Sequence, residues 1–146
     1  MQQQPIDAVI TWVDGADPAH RAKMAEYLPK SGATRGADPT RFASVDEIIY
    51  CVLSIMKYAP YFNKIYIVTD AQTPPVFEAV MREFPDQLKK IIIIDHTRIF
   101  YSFEKYLPIF NSISIETALH RIPDLNEHFV YFNDDVFLIR PTLFED

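Results

Sequence analysis

Glycine is scarce in this sequence. The 146-residue chain contains Gly15, Gly32 and Gly36 and no others, too few for the glycine-rich loops with which P-loop and dinucleotide-binding proteins cradle phosphates. Cysteine is represented by Cys51 alone. No disulfide can therefore form within the chain, which fits a reducing compartment. Cys51 falls in an apolar helical pattern and reads as a small core residue rather than a nucleophile. Positive charge is also in deficit: 14 Lys and Arg against 20 Asp and Glu leave a net charge of −6. That balance lacks the basic face of a general nucleic-acid binder, so no nucleic-acid partner is expected, although one site could still hold a nucleotide. No apolar run approaches the roughly 20 residues that span a bilayer. The first residues show no charged-then-apolar leader pattern. No repeat or low-complexity segment is present, and a cytoplasmic location is expected.

Apolar residues make up 49% of the chain and aromatic residues 14%, so it is globular, with one domain expected over residues 1–146. Its most informative stretch is His128 to Arg140. Val130, Tyr131 and Phe132 run directly into Asn133, Asp134 and Asp135, and apolar residues resume at Val136. A short apolar strand that ends in adjacent acids presents carboxylates at the carboxyl edge of an α/β sheet, where open α/β sheets bind ligands. Two neighbouring carboxylates repel each other in a low-dielectric setting. A hard divalent cation relieves that repulsion and pairs naturally with phosphate oxygens. The plainer alternative is a polar turn between two strands.

The remaining chain alternates. Ile6 to Val13 reads as a first strand, ending at Asp14-Gly15. Asp17-Pro18 can cap and start a helix running to about Leu28. Asp14 and Asp17 therefore lie at the sheet edge, as site residues or as an ordinary turn former and helix cap. Pro29 to Ala43, with Lys30, Arg35 and Arg41, is a polar loop. Ser44 to Ala59 is a helix with a Ser44/Glu47 capping box and a stripe of Ile48, Val52, Ile55 and Ala59. Lys64 to Thr69 is a second strand, ending in Asp70. Thr73-Pro74 should cap and start a helix that Pro85 stops. Ile91 to Ile94, four isoleucines in a row, points to a central, fully covered strand before Asp95 and His96. After an irregular segment to Pro108, a helix from Asn111 or Ser112 to about Ile122 would stack Ser112, Glu116 and His120 on one polar face. Strands alternating with helices give a mainly parallel sheet with helices on both faces. Asp14, Asp70, Asp95 and Asp134/Asp135 would then meet at one edge.

An acidic, cation-ready crevice suits a phosphorylated ligand. Trp12 could stack on a base or sugar, or could pack in the core. His96, His120 and His128 are candidate bases, with His120 favoured by Glu116 one turn before it. A haloacid-dehalogenase-like phosphatase would need a second Asp two residues after the first, but here Asp17 follows Asp14 by three. A response-regulator receiver would need paired acids after the first strand and a Lys after the last, and it has neither.

The segment Ile6 to Pro18, with Thr11-Trp12-Val13-Asp14-Gly15-Ala16-Asp17-Pro18, resembles the first conserved block of the Stealth family of sugar-1-phosphate transferases. Lys57-Tyr58-Ala59-Pro60, Lys64 to Asp70, Asp95-His96, Phe110-Asn111-Ser112, Ile115-Glu116, Leu119 to Pro123 and Phe132 to Val136 resemble its second. The resemblance implies a Rossmann-like, glycosyltransferase-A-like fold. It also implies transfer of a sugar-1-phosphate, typically N-acetylhexosamine-1-phosphate, from a UDP-sugar to a glycan hydroxyl with release of UMP, in capsule or cell-surface polysaccharide synthesis. A divalent cation, Mg²⁺ or Mn²⁺, is implied as well. By the same resemblance Trp12, Asp14, Gly15 and Asp17 would serve the nucleotide end, and Asp70 is a further expected substrate-binding residue. Asn111, Ser112, Glu116 and His120 would surround the sugar-phosphate, and Asn133, Asp134 and Asp135 would hold metal and diphosphate. Glu116, His120 and Asp134 are the expected catalytic residues. The alternatives are a glycosyltransferase that releases UDP and a UDP-sugar-binding fragment without turnover. Ile49 and Leu53 stand where the family often has Arg, and Ala71 where it commonly has Gly. The family's third and fourth blocks have no counterpart before Asp146. The expectation is therefore an incomplete catalytic domain, working with a C-terminal catalytic half or other capsule-synthesis proteins, in the cytoplasm or peripherally at the inner membrane.

Overall fold

The computed structural model describes residues 4–27 and 44–145. The expected loop with Lys30, Arg35 and Arg41 lies outside the described residues. Four apolar runs form strands: β1 (Ile6–Thr11), β2 (Ile65–Thr69), β3 (Ile91–Asp95) and β4 (His128–Asn133). They pair in the order β3-β2-β1-β4, all parallel, so every strand delivers its carboxyl end to the same edge. From β1 the chain steps outward to β2 and β3, then crosses back to place β4 on the other side of β1. That reversal makes the β1/β4 boundary a topological switch point, where open α/β sheets form their ligand crevice. There Thr11 lies opposite Asn133.

The connections are helical. β1 and β2 are joined through α1 (Pro18–Tyr27) and α2 (Glu47–Tyr58), and β2 and β3 through α3 (Phe77–Glu83). α4 (His96–Ile99) and α5 (Ser112–Glu116) lie between β3 and β4. Side chains alternate across each strand, and both sheet faces are covered. Ala8, Ile10 and Trp12 pack with Ile48, Val52 and Ile55 of α2. Val9, Tyr66 and Val68 pack with Ile99, Ile115 and Leu119 on the opposite side. Each fully buried Ile or Val contributes about 1.5–3 kcal/mol. At the amino end of the sheet the buried Asp7 carboxylate accepts from the Lys64 N–H (3.0 Å), Asn63 Nδ2 (3.2 Å), and the Asn126 N–H and Nδ2 (both 2.8 Å). It fastens the chain entering β2 and β4 to β1.

Several local expectations are corrected. β3 is an edge strand among the described residues and only partly buried, whereas β2 is buried throughout. Its isoleucines serve partial cover by flanking segments rather than a central position. α2 starts at Glu47 behind a left-handed Asp46 (φ 63°), without a side-chain cap. The Ser44 hydroxyl accepts from the Asp46 N–H and Glu47 Oε2 from the Val45 N–H, so no capping box forms. α3 starts at Phe77, not Pro74, because Pro75 disfavours helical geometry in the residue before it. The long last helix is broken. α5 ends at Glu116, the Thr117 hydroxyl bonds back to the Ser114 carbonyl (2.8 Å), and a 3-10 turn covers Leu119–Arg121. Ile49 and Leu53 pack against the core. Ala71 sits at φ 55°, a conformation that glycine adopts at less cost.

Candidate functional site

β4 ends in a turn in which the Val136 N–H donates to the Asn133 carbonyl (3.1 Å). The chain then returns extended across α2, where the Leu138 N–H donates to Ser54 Oγ (3.0 Å) and Phe137 meets Tyr50 edge-on at 6.4 Å. Asp134 and Asp135 are thus held at the switch point between sheet and helix. Asp135 is exposed and Asp134 half-buried. Burial pushes the Asp134 carboxyl up to about 6, with Asp135 and Glu47 adding repulsion against the effect of its own backbone N–H. Beneath the turn, Cys51 Sγ donates to the Asn133 carbonyl at 3.7 Å. Burial, and then the two aspartates, push its thiol up to about 12, so it stays protonated, as a core thiol should.

This arrangement fits a hard divalent cation. Asp134 is costly to ionise without a counter-charge beside it. Among the described residues no three His, Cys, Asp or Glu side chains come together as a metal cage. Two carboxylates with the remaining ligands drawn from phosphate oxygens and water is the donor set magnesium takes.

Tyr131, two residues before Asn133 and on the same strand face, is a hub that the sequence reading missed. Its hydroxyl lies 2.9 Å from Thr11 Oγ1, 2.8 Å from Asn133 Oδ1 and 3.4 Å from Glu116 Oε1. It links β1, β4 and α5 around the crevice. Burial raises the Tyr131 phenol above its ordinary value, aided by the Glu116 charge, so it remains a hydrogen-bond donor. Glu116 is half-buried and faces this hub, while Ser112 and Asn111 are exposed at the start of α5. Asn111 Oδ1 caps the helix by accepting from the Ile113 N–H (2.9 Å).

The end of β1 is organised by its own acids and by Gln72. Asp14 Oδ1 accepts from the Ala16 N–H (2.8 Å), and the Asp14 carbonyl accepts from the Asp17 N–H (3.2 Å) across a turn through Gly15. Asp17 Oδ1 accepts from the His20 N–H (2.7 Å), an N-cap bond with Pro18 in the first helical position. Gln72, a second residue without an advance signal, grips the Asp14 backbone from both sides. Its Oε1 accepts from the Asp14 N–H and its Nε2 donates to the Asp14 carbonyl, each at 2.9 Å.

The strand-end acids do not behave alike. Asp70 accepts from Lys23 Nζ with both oxygens (2.8 Å each) and lies 3.2 Å from His20 Nδ1. It anchors α1 to β2. Asp95 accepts from Thr97 N–H and Oγ1 and from the Ala71 N–H. Burial opposes its ionisation, but these donors hold its carboxyl below the usual range. The strand-end acids expected to meet at this edge thus differ in their partners. Asp70 and Asp95 are satisfied by protein groups, Asp14 accepts from the Ala16 N–H, and Asp134 and Asp135 make no ion pair among the described residues. Trp12 is 5% exposed and packed in the core, so it secures the end of β1 rather than offering a stacking face. His128 begins β4 at the opposite end of the sheet from the acids. His96 is buried, and burial lowers its value. His120 is exposed on the 3-10 turn after the helix break, so it does not sit one α-helical turn above Glu116. It lines a neighbouring cleft.

A parallel sheet with helices on both faces and an acidic turn where strand order reverses defines a Rossmann-like α/β protein of glycosyltransferase-A-like class. Residues 4–32 match Stealth protein CR1, conserved region 1, and residues 41–146 match Stealth protein CR2, conserved region 2. The chain belongs to the Stealth family. It is 43% identical over 143 residues to capsular polysaccharide phosphotransferase cps1A of Actinobacillus pleuropneumoniae, covering 96% of this chain and 37% of that protein. It is 44% identical over 138 residues to capsular polysaccharide phosphotransferase LcbA of Neisseria meningitidis, covering 93% and 36%. An exopolysaccharide phosphotransferase of Streptomyces coelicolor is 46% identical over 138 residues, covering 94% and 24%. The chain thus spans little more than a third of the length of the capsular relatives. Among the described residues, no helix is long and apolar enough to cross a membrane.

Proposed function

We propose that this chain carries the donor-binding part of an enzyme that moves a sugar-1-phosphate from a UDP-sugar to a glycan hydroxyl in the synthesis of a capsular or other cell-surface polysaccharide. The observation that carries the reading is the half-buried Asp134, pushed up to about 6 beside Asp135 at the switch point. A carboxylate so placed calls for a cation and, through it, a diphosphate. Family membership and the names of the relatives support a phosphotransferase. The sugar is an N-acetylhexosamine in this reading.

Asp134 and Asp135 would hold Mg²⁺ or Mn²⁺, which when bound offsets charge on the phosphate oxygens. The turn from Asp14 to Asp17, fixed by Gln72, receives the nucleotide end. Asn133, oriented by Tyr131, and Ser112 border the sugar-phosphate. The acceptor oxygen attacks the β-phosphorus, the bond to the α-phosphate oxygen breaks, and UMP leaves. The acceptor proton passes to Glu116, which the Tyr131 hydroxyl steadies. The acceptor glycan, other capsule-synthesis proteins and the family's further conserved blocks are the partners, in the cytoplasm or at the inner membrane surface.

The test is nucleotide release. The protein is incubated with UDP-sugars, magnesium or manganese and short glycans, and UMP is separated from UDP. UMP is expected. UDP would mean attack at the anomeric carbon and a glycosyltransferase. Donor binding without either product would mean a binding function alone. Asp135→Asn should abolish the metal dependence of donor binding, and unchanged metal-dependent binding would overturn the cation assignment.

A further inference from the structure

The Tyr131 hydroxyl stands among three oxygens: Thr11 Oγ1 at 2.9 Å, Asn133 Oδ1 at 2.8 Å and Glu116 Oε1 at 3.4 Å. A phenol has one proton to give and lone pairs with which to accept. An amide oxygen and a carboxylate only accept, whereas a threonine hydroxyl does either. The hub is therefore best satisfied when Thr11 donates to Tyr131. That leaves one phenolic proton for two acceptors on different elements, Asn133 at the end of β4 and Glu116 at the end of α5.

The distances show which acceptor holds it. The Asn133 bond is short, and the Glu116 contact lies at the long limit of hydrogen bonding. Yet a carboxylate is the stronger acceptor, since charge-assisted bonds are roughly twice as strong as neutral ones. Both acceptors depend on this hydroxyl. It is the one side-chain hydrogen-bond partner of Glu116 and of Asn133 among the described residues. Asn133 is exposed and its Nδ2 has no partner there, so its amide is open to a phosphate oxygen or a sugar hydroxyl. Thr11 is the register partner of Asn133, which fixes the hydroxyl where β1 and β4 end together.

We propose that Tyr131 is a positioning residue that couples donor engagement at Asn133 to the orientation of Glu116. When the donor draws the Asn133 amide to itself, the hydroxyl turns from Asn133 Oδ1 to Glu116 Oε1. The proton stays on Tyr131 and no covalent bond changes. The turned hydroxyl holds one carboxylate oxygen and leaves Glu116 Oε2 to the acceptor. Glu116 is then set for its role only after the donor has arrived. The coupling rests on the reading of Asn133 as a donor contact and Glu116 as the base, whereas the choice of one proton between two acceptors does not.

That choice is read first without ligand, from the unfolding constant in urea. A double-mutant cycle of Tyr131→Phe with Glu116→Ala isolates their interaction. In the parent the coupling should be about twofold or less. In the Asn133→Ala background it should rise to about fivefold, the size of one hydrogen bond, because the hydroxyl is free to turn. Equal coupling in the two backgrounds would overturn the proposal. UDP-sugar binding in magnesium is then measured on the same variants. Glu116→Ala should weaken donor binding about threefold, since the hydroxyl released from Asn133 finds no acceptor, and should change it less than twofold alongside Tyr131→Phe. An equal loss with and without the hydroxyl would mean that Glu116 touches the donor directly and would overturn the coupling. Tighter donor binding by Glu116→Ala would overturn it too, by showing that Tyr131 keeps hold of Asn133 throughout. A chain that binds no UDP-sugar while the ligand-free cycle behaves as expected would count against the donor reading and leave the hydroxyl exchange standing.

Discussion

Replacing Asp134 with asparagine should make the chain more stable at neutral pH. The folded state holds the Asp134 carboxyl at about 6 against an ordinary 3.8, chiefly through burial. Below pH 3.8 the group is neutral whether the chain is folded or not, and it contributes nothing. Between 3.8 and about 6 the folded state keeps a proton that the unfolded state has released, so stability falls as pH rises. Above about 6 the penalty is complete and constant. At about 1.4 kcal/mol per tenfold in acidity the difference corresponds to roughly 3 kcal/mol. Solvent screening of a half-buried group lowers the expected effect to about 1–2 kcal/mol. Asparagine keeps the shape and removes the charge. In the presence of a chelator, urea denaturation from about pH 4 to pH 8 should show Asp134→Asn matching the parent at the acid end and exceeding it by that amount above pH 7. Saturating magnesium should stabilise the parent and close the gap, and should leave the variant nearly unchanged. A variant equal to or less stable than the parent at about pH 7.5 in chelator would refute the claim that this carboxylate is held at a cost.

Three further outcomes follow from the same geometry. Ala71→Gly should raise stability by about 0.5–1 kcal/mol, because Ala71 occupies the left-handed region at φ 55°; a lower melting temperature would show that the strain is not there. Asp7→Ala should cost at least about 3 kcal/mol in urea denaturation, since it strips the shared acceptor from Asn63, Lys64 and Asn126, and a loss under about 1 kcal/mol would refute its role as a fastening point. Lys23→Met should cost about 1 kcal/mol by removing the ion pair with Asp70, with the difference shrinking at high salt; a salt-independent loss would point to packing instead.

The hydrophobic pattern was enough to find all four strands and their parallel sense. Four short apolar runs, each ending at a polar residue and separated by helical stretches, can hide both faces only as a parallel sheet between two helical layers. Asp17-Pro18 and Asn111 revealed helix starts for local reasons that need no tertiary context. Local chemistry misled where a neighbour competed. Ser44 and Glu47 have capping-box spacing, yet Asp46 turned left-handed and each side chain found a different backbone donor. Of the expected Ser112, Glu116 and His120 stack, Ser112 and Glu116 share α5, but His120 falls on the 3-10 turn beyond it, where Thr117 bonds back to Ser114.

The sequence by itself determined that acids would gather at one sheet edge, because each follows its strand directly and parallel strands end together. Only the tertiary structure decided which of those acids are free to act. Lys23, brought in on α1, satisfies Asp70, and Thr97 and Ala71 satisfy Asp95. Strand order, which no local pattern encodes, put Asp134 and Asp135 at the reversal between β1 and β4 with Glu47 and Cys51 of α2 beneath them. Strand periodicity records which side a residue faces, but not which strand will lie beside it. The links of the Tyr131 hub to Thr11 and Glu116 and the Gln72 clamp, between residues 15 to 120 positions apart, therefore exist only once the sheet has closed.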